Sequence, residues 1–230
     1  MAKLGGMSAS AFLMAKAPTA LADTFAGTFD NVSTKPSHHS KILDSSELGV
    51  GEPSKYIPKA SILKAAFNRP DSSASPIQAW IQLLTSLKDA DAETQIAAVH
   101  GFFNQVRYVG EQGQDVWKLP AQFLCEGGDC EDFAIAKFVS LRLLGFHKDR
   151  IRLVFVENTL TGADHAVTAV QYNDKTYILD NNLANVTLSD KLGHYNPVCS
   201  FDEKRLWLHW KSGNTGGSVA SLQQRLSKQS

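Results

Sequence analysis

Gly127-Gly128-Asp129-Cys130-Glu131-Asp132-Phe133-Ala134-Ile135-Ala136-Lys137-Phe138 decides how this chain folds. Two glycines allow a tight approach, Asp129 or Cys130 can cap, and Phe133, Ala136, Val139, Leu143 and Leu144 recur at helical spacing until Gly145. The pattern predicts an amphipathic helix that begins at Cys130. A thiol there lies beside unpaired backbone N–H groups and the positive end of the helix dipole, which favour a thiolate.

A nucleophile needs a base, and the base needs an orienting group. Downstream, Asp164-His165-Ala166-Val167-Thr168-Ala169-Val170 puts His165 at the head of an apolar strand. Lys175-Thr176-Tyr177-Ile178-Leu179-Asp180-Asn181-Asn182 ends a second strand at Asp180. The turn Tyr172-Asn173-Asp174-Lys175 between them predicts an antiparallel hairpin, in which His165 meets Asp180 if the register allows. Taken singly, each residue has an ordinary reading: a buried core cysteine, a strand-end histidine, an aspartate in a turn. In this order and context, Cys130, His165 and Asp180 together read as a catalytic triad.

The surrounding elements sort into two lobes. Ser75-Pro76 opens a helix with Ile77, Trp80, Ile81, Leu84 and Leu87 on one stripe. A second helix runs from about Asp91 to Asn104 with Ile96, Val99, Phe102 and Phe103 inward. With the Cys130 helix these predict an α lobe. Strands at Ile151 to Glu157, Ala166 to Tyr172, Thr176 to Leu179 and Arg205 to Trp210 predict a β lobe. The fold class is α+β, of the papain-like or transglutaminase-like plan, with the cysteine on the helical lobe and His and Asp on the antiparallel sheet. The Cys130 N–H at the helix start is an oxyanion donor, and Trp117 or Gln122 is the candidate for a second.

These motifs resemble the bacterial transglutaminase-like cysteine peptidases, in their LapG-type periplasmic form. Phe103-Asn104-Gln105-Val106-Arg107-Tyr108, Asp115-Val116-Trp117 and Pro120-Ala121-Gln122-Phe123-Leu124 extend the likeness, which spans residues 75 to 182. Gln122 stands where the family pattern has an acidic residue. The resemblance implies that Cys130 is the nucleophile, His165 the general base and then acid, and Asp180 the group that holds the imidazole tautomer. It implies calcium beside the site, held by Asp129, Glu131 and Asp132; carboxylates suit this hard cation, which takes about six to eight oxygens. On spacing alone the same three acids are ordinary complements to a helix N-terminus. The resemblance further implies a large surface adhesin as substrate, a periplasmic location, release of biofilm, and an inner-membrane cyclic-di-GMP receptor that sequesters the protease. Transamidation or glutamine deamidation by the same thioester chemistry is the nearest alternative reaction, and a non-catalytic binding module the alternative of another class.

Composition narrows the field. The 230 residues are 43% hydrophobic and 20% charged, with 23 basic against 23 acidic side chains. A net charge of zero leaves none of the basic footprint that nucleic-acid binding requires. No apolar run reaches the length of a membrane span. Three cysteines, Cys125, Cys130 and Cys199, cannot all pair within one chain and lack zinc-site spacing. Whether Cys125 and Cys199 form a disulfide stays open. Met1 to Ala22 reads as a degenerate signal segment with Ala20-Leu21-Ala22 at its end. Ser37-His38-His39-Ser40 reads as a solvated loop. The expected organisation is residues 1–70 as signal-like segment and lead-in, 71–212 as the peptidase domain, and 213–230 as a tail.

Overall fold

A computed structural model of the chain describes residues 41–67, 74–110 and 116–211. The signal-like segment, the Ser37–Ser40 histidines, Asp115 and the tail lie outside the described residues. The helices are α1 (Ile62–Ala65), α2 (Ser75–Leu87), α3 (Ala92–Phe103), α4 (Pro120–Glu126) and α5 (Cys130–Leu143). The strands are β1 (Ser46–Gly51), β2 (Ile151–Asn158), β3 (Ala163–Tyr172), β4 (Lys175–Leu179), β5 (Thr187–Leu188), β6 (Tyr195–Phe201) and β7 (Leu206–Trp210). They form one antiparallel sheet in the order β1-β7-β6-β2-β3-β4-β5. The papain-like, transglutaminase-like α+β plan is what the chain adopts.

The α lobe forms as its periodicity demands. In α2, Ile77, Trp80, Leu84 and Leu87 are buried. Asp91 caps α3, its carboxylate accepting from Thr94 N, and Ile96, Val99 and Phe103 turn inward. Helix α5 departs from the amphipathic expectation, since every residue from Glu131 to Leu141 is buried. It lies between the other helices and the sheet, touching α3, α4, β2 and β3. A helix covered on all sides loses its polar face, and small Ala134 and Ala136 let its neighbours come close.

The sheet is buried on both faces. Leu153 and Phe155 join the core shared with α5, while Val154 and Val156 alternate onto the opposite face with Ile42, Leu43, Val167, Ile178 and Tyr195. The predicted β3–β4 hairpin is present, with Tyr172 opposite Lys175. Asn173 and Asp174 make its turn at φ of 48° and 57°, a conformation these two residue types tolerate.

Part of the expected lead-in, 1–70, packs with the rest of the chain. Residues 41–67 belong to the fold: β1 pairs with β7, Ser46 opposite Trp210, and Ile42, Leu43, Ile57 and Leu63 are buried. Ser45 Oγ lies 2.7 Å from His209 Nδ1, and Ser200 Oγ lies 2.7 Å from its Nε2. Burial holds His209 down to about 4 from its ordinary 6.5, with Glu47's charge opposing and Arg152's assisting. The folded state therefore keeps this ring neutral where the unfolded chain protonates it, and stability falls as pH drops from 6.5 toward about 4. The expected loss for this group is about 3 kcal/mol. Urea unfolding across that range should show a smaller acid loss in His209→Asn than in the parent.

Candidate active site

The approach to α5 is shaped by two glycines. Gly127 has φ of 77°, and a Cβ there would stand 2.5 Å from Arg107 O. A Cβ on Gly128 would stand 2.0 Å from Asp132 Oδ2. This closeness lets Val109 N donate to Gly128 O at 2.8 Å and Gly128 N to Arg107 O at 3.4 Å. The chain then enters α5 through extended Asp129, which leaves Cys130 as the first helical residue, half-buried.

The sulfur is held between two groups. Cys130 Sγ donates to Glu131 Oε2 at 3.3 Å, and the backbone N–H of Ala166, next to His165, hydrogen-bonds it from β3. Burial pushes the thiol well above its ordinary range, and the charges of Glu131 and Asp129 push the same way. The Ala166 N–H opposes them. The thiolate expected from the helix end is thus outweighed by desolvation and adjacent carboxylates.

On the sheet, the second and third predicted residues meet. His165 Nε2 lies 2.8 Å from Asp180 Oδ1. Both are buried. Asn182 N donates to the same Oδ1 at 2.8 Å, and Tyr195 OH donates to Oδ2 at 2.6 Å. Burial pushes Asp180 upward, yet the bonds from His165 and Tyr195 and the imidazole's charge leave it below its ordinary value. An ionised carboxylate only accepts, so Nε2 carries the proton and Nδ1 is left as the basic nitrogen. Burial, then the bond and charge of Asp180, push the Tyr195 hydroxyl upward, and the charge of Cys130 adds to them. The sulfur, the imidazole and the carboxylate thus gather where the head of α5 meets β3, β4 and β6.

The model of the bacterial transglutaminase-like cysteine proteinases matches residues 77–213. The chain belongs to this family. It is a cysteine peptidase, and the fold and the cysteine-led helix follow from that membership. Among solved structures it is similar to Legionella pneumophila LapG, at 27% identity and a TM-score of 0.56, over 74% of this chain and 97% of that one. The calcium-bound form of that protein matches at 28% identity and a TM-score of 0.55, and the EGTA-treated form at 27% and 0.55, each with the same coverage. No curated protein sequence matches.

Within this cysteine proteinase the other predicted site residues separate. Trp117 is in the core, stacked at 5.7 Å on Phe155 and 6.1 Å on Phe201. Gln122 is exposed on α4 and donates to Glu126 Oε2 at 3.0 Å. Asp132 engages Lys118: its Oδ1 accepts from Lys118 N at 2.7 Å and its Oδ2 from Lys118 Nζ at 3.4 Å. Burial raises Asp132 to about 6, with Asp129's charge adding and Lys118 opposing. Among the described residues, no group of three or more His, Cys, Asp and Glu side chains converges as a metal ion requires. Asp129 and Glu131 both raise Tyr108 and Cys130, so these two carboxylates do share one patch of negative potential. All three cysteines are free thiols, Cys125 exposed and Cys199 buried, so no Cys125–Cys199 disulfide is present.

Sequence reading missed Tyr195, whose partner Asp180 is 15 residues away in the chain and across the sheet. It also missed the buried Lys137. The signal for that residue was visible as a lone cation inside Phe133-Ala134-Ile135-Ala136-Lys137-Phe138-Val139.

Proposed function

We propose that the protein is a calcium-assisted cysteine endopeptidase in which Cys130, His165 and Asp180 form the triad. The His165–Asp180 bond, set one residue from the amide that holds the Cys130 sulfur, carries this reading. Cys130 gives its proton to His165 Nδ1 and attacks the peptide carbonyl. The first free N–H groups of α5, Cys130's among them, face the oxyanion. His165 then protonates the leaving amine, and a thioester forms. His165 next takes a proton from water, which attacks the thioester and releases the acyl product. Asp180 holds the ring throughout.

The chemistry of the donor set fits calcium at Asp129 and Glu131, supplemented by backbone carbonyls and water, with Asp132 serving Lys118 instead. Bound there, the cation supplies positive charge that offsets both carboxylates and favours the thiolate. The resemblance to LapG supports the rest of the reading. The substrate is the N-terminal region of a large surface adhesin, cleavage releases it and disperses biofilm, the enzyme works in the periplasm, and an inner-membrane cyclic-di-GMP receptor sequesters it.

The test is cleavage of a recombinant adhesin N-terminal fragment. Calcium should support cleavage, excess EGTA should stop it, and added calcium should restore it. Undiminished cleavage under EGTA removes the cation from the reading. Incorporation of a primary amine into a glutamine peptide, with no hydrolysis of the fragment, replaces protease by transamidase.

A further inference from the structure

A buried lysine has no place in the chemistry above. Lys137 is fully buried in the middle of α5, seven residues after Cys130. A seven-residue step turns a helix back to within about 20° of the same face, so both side chains leave α5 on the side of Cys130. The step also carries Lys137 about 10 Å deeper along the axis. The face between them packs on β3, where Thr168 Oγ1 donates to Ala134 O at 2.7 Å.

What the ammonium touches leads to the opposite lobe. Lys137 Nζ donates to Asn104 Oδ1 at 2.6 Å. Asn104 is the C-cap of α3, and its amide Nδ2 donates to Leu183 O at 2.8 Å and lies 3.4 Å from Asp180 O. His100 Nε2, one turn earlier on α3, lies 3.1 Å from the same Leu183 O. The segment so held is Asp180–Leu183, whose Asn182 N donates to the Asp180 carboxylate. Lys137 and Asp180 attract each other electrostatically, and the Phe133 ring lies 5.7 Å from Nζ.

We infer that Lys137 and Asn104 are positioning residues that lock the Asp180–Leu183 segment to the helix bearing Cys130, and so fix the imidazole relative to the sulfur. This rests on the triad reading. Three elements, α3, α5 and the end of β4, meet at one amide. A buried cation is costly unless it is paired and hydrogen-bonded. A lysine present only to fill space would therefore be improved on by methionine. Burial lowers Lys137 to about 7, with Asp180's charge opposing. Burial, and after it the charge of Lys137, hold the nearby His100 ring down to about 4 and so keep it neutral.

The experiment compares the parent, Lys137→Met, Asn104→Ala and His165→Ala. Two readouts are used: melting temperature, and the rate at which iodoacetamide alkylates Cys130 against pH, which needs no substrate. Cys125→Ser in every background removes the exposed thiol, and Cys199 is buried. The expected result is that Lys137→Met, which leaves Asn104 Oδ1 without its donor, folds but melts below the parent, while its alkylation near neutrality slows about a hundredfold, as a misplacement near 1 Å can do. Asn104→Ala should slow alkylation in the same way. Parent-like alkylation profiles in folded Lys137→Met and Asn104→Ala overturn the inference. If Lys137→Met does not fold, Asn104→Ala decides by the same criterion. If His165→Ala alone leaves alkylation unchanged, the triad itself fails, and the inference falls with it.

Discussion

Cys130→Ala folds as the parent does and cleaves no peptide. The substitution removes a sulfur whose partners are one carboxylate oxygen and one backbone amide, and it places the best helix former at the first turn of α5. Its melting temperature should match or exceed the parent's, because the thiol's bond to Glu131 sits in a patch that burial makes unfavourable. Turnover should fall by about six orders of magnitude, the loss seen when a covalent nucleophile is deleted and only binding and oxyanion stabilisation remain. Single-turnover cleavage at high enzyme concentration is the measurement. Residual activity within about a thousandfold of the parent exceeds that background and would assign the nucleophile elsewhere.

Asp180→Asn should come next in severity, with kcat down by on the order of 10⁴. The carboxylate accepts from His165 Nε2 and Asn182 N on one oxygen and from Tyr195 OH on the other. An amide has a single acceptor oxygen, so one side of this arrangement faces an N–H₂ group instead. If the amide nitrogen points at His165, the ring turns its proton to Nδ1, the nitrogen that must receive the thiol proton. If it points at Tyr195, the hydroxyl has to rotate or let go. Steady-state kinetics should show the loss in kcat with KM nearly unchanged, since Asp180 is fully buried. A fall of less than about tenfold would mean that the imidazole keeps its tautomer without the carboxylate.

The parts of the fold that could be read in advance were those with local signals. Pro76, the Asp91 cap and the Asn173-Asp174 turn each fix backbone geometry by themselves, and the apolar stripes between them did the rest. Strand β1 escaped because Ser46-Glu47-Leu48-Gly49-Val50-Gly51 contains two glycines and is exposed at nearly every position. Strand β6 escaped because Asn196-Pro197 has turn chemistry; the ladder accommodates the proline where the register against β2 shifts, between Phe155 and Val156. At the site, Cys130, His165 and Asp180 were legible from residue type and order. The engagement of Asp132 with Lys118 and the stacking of Trp117 were not, because both are set by which elements pack together. The thiol's upward shift was hidden for the same reason: a helix dipole can be inferred from sequence, but desolvation cannot.

The pairing of Ser46 with Trp210 joins strands at opposite ends of the described chain. One rim of the sheet consists of its first strand in chain order laid against its last, so that rim stays open until synthesis has passed the final strand. Refolding should show a slow closing phase, in keeping with architectures dominated by long-separation contacts. Until that phase is complete, β7 presents an unzipped margin.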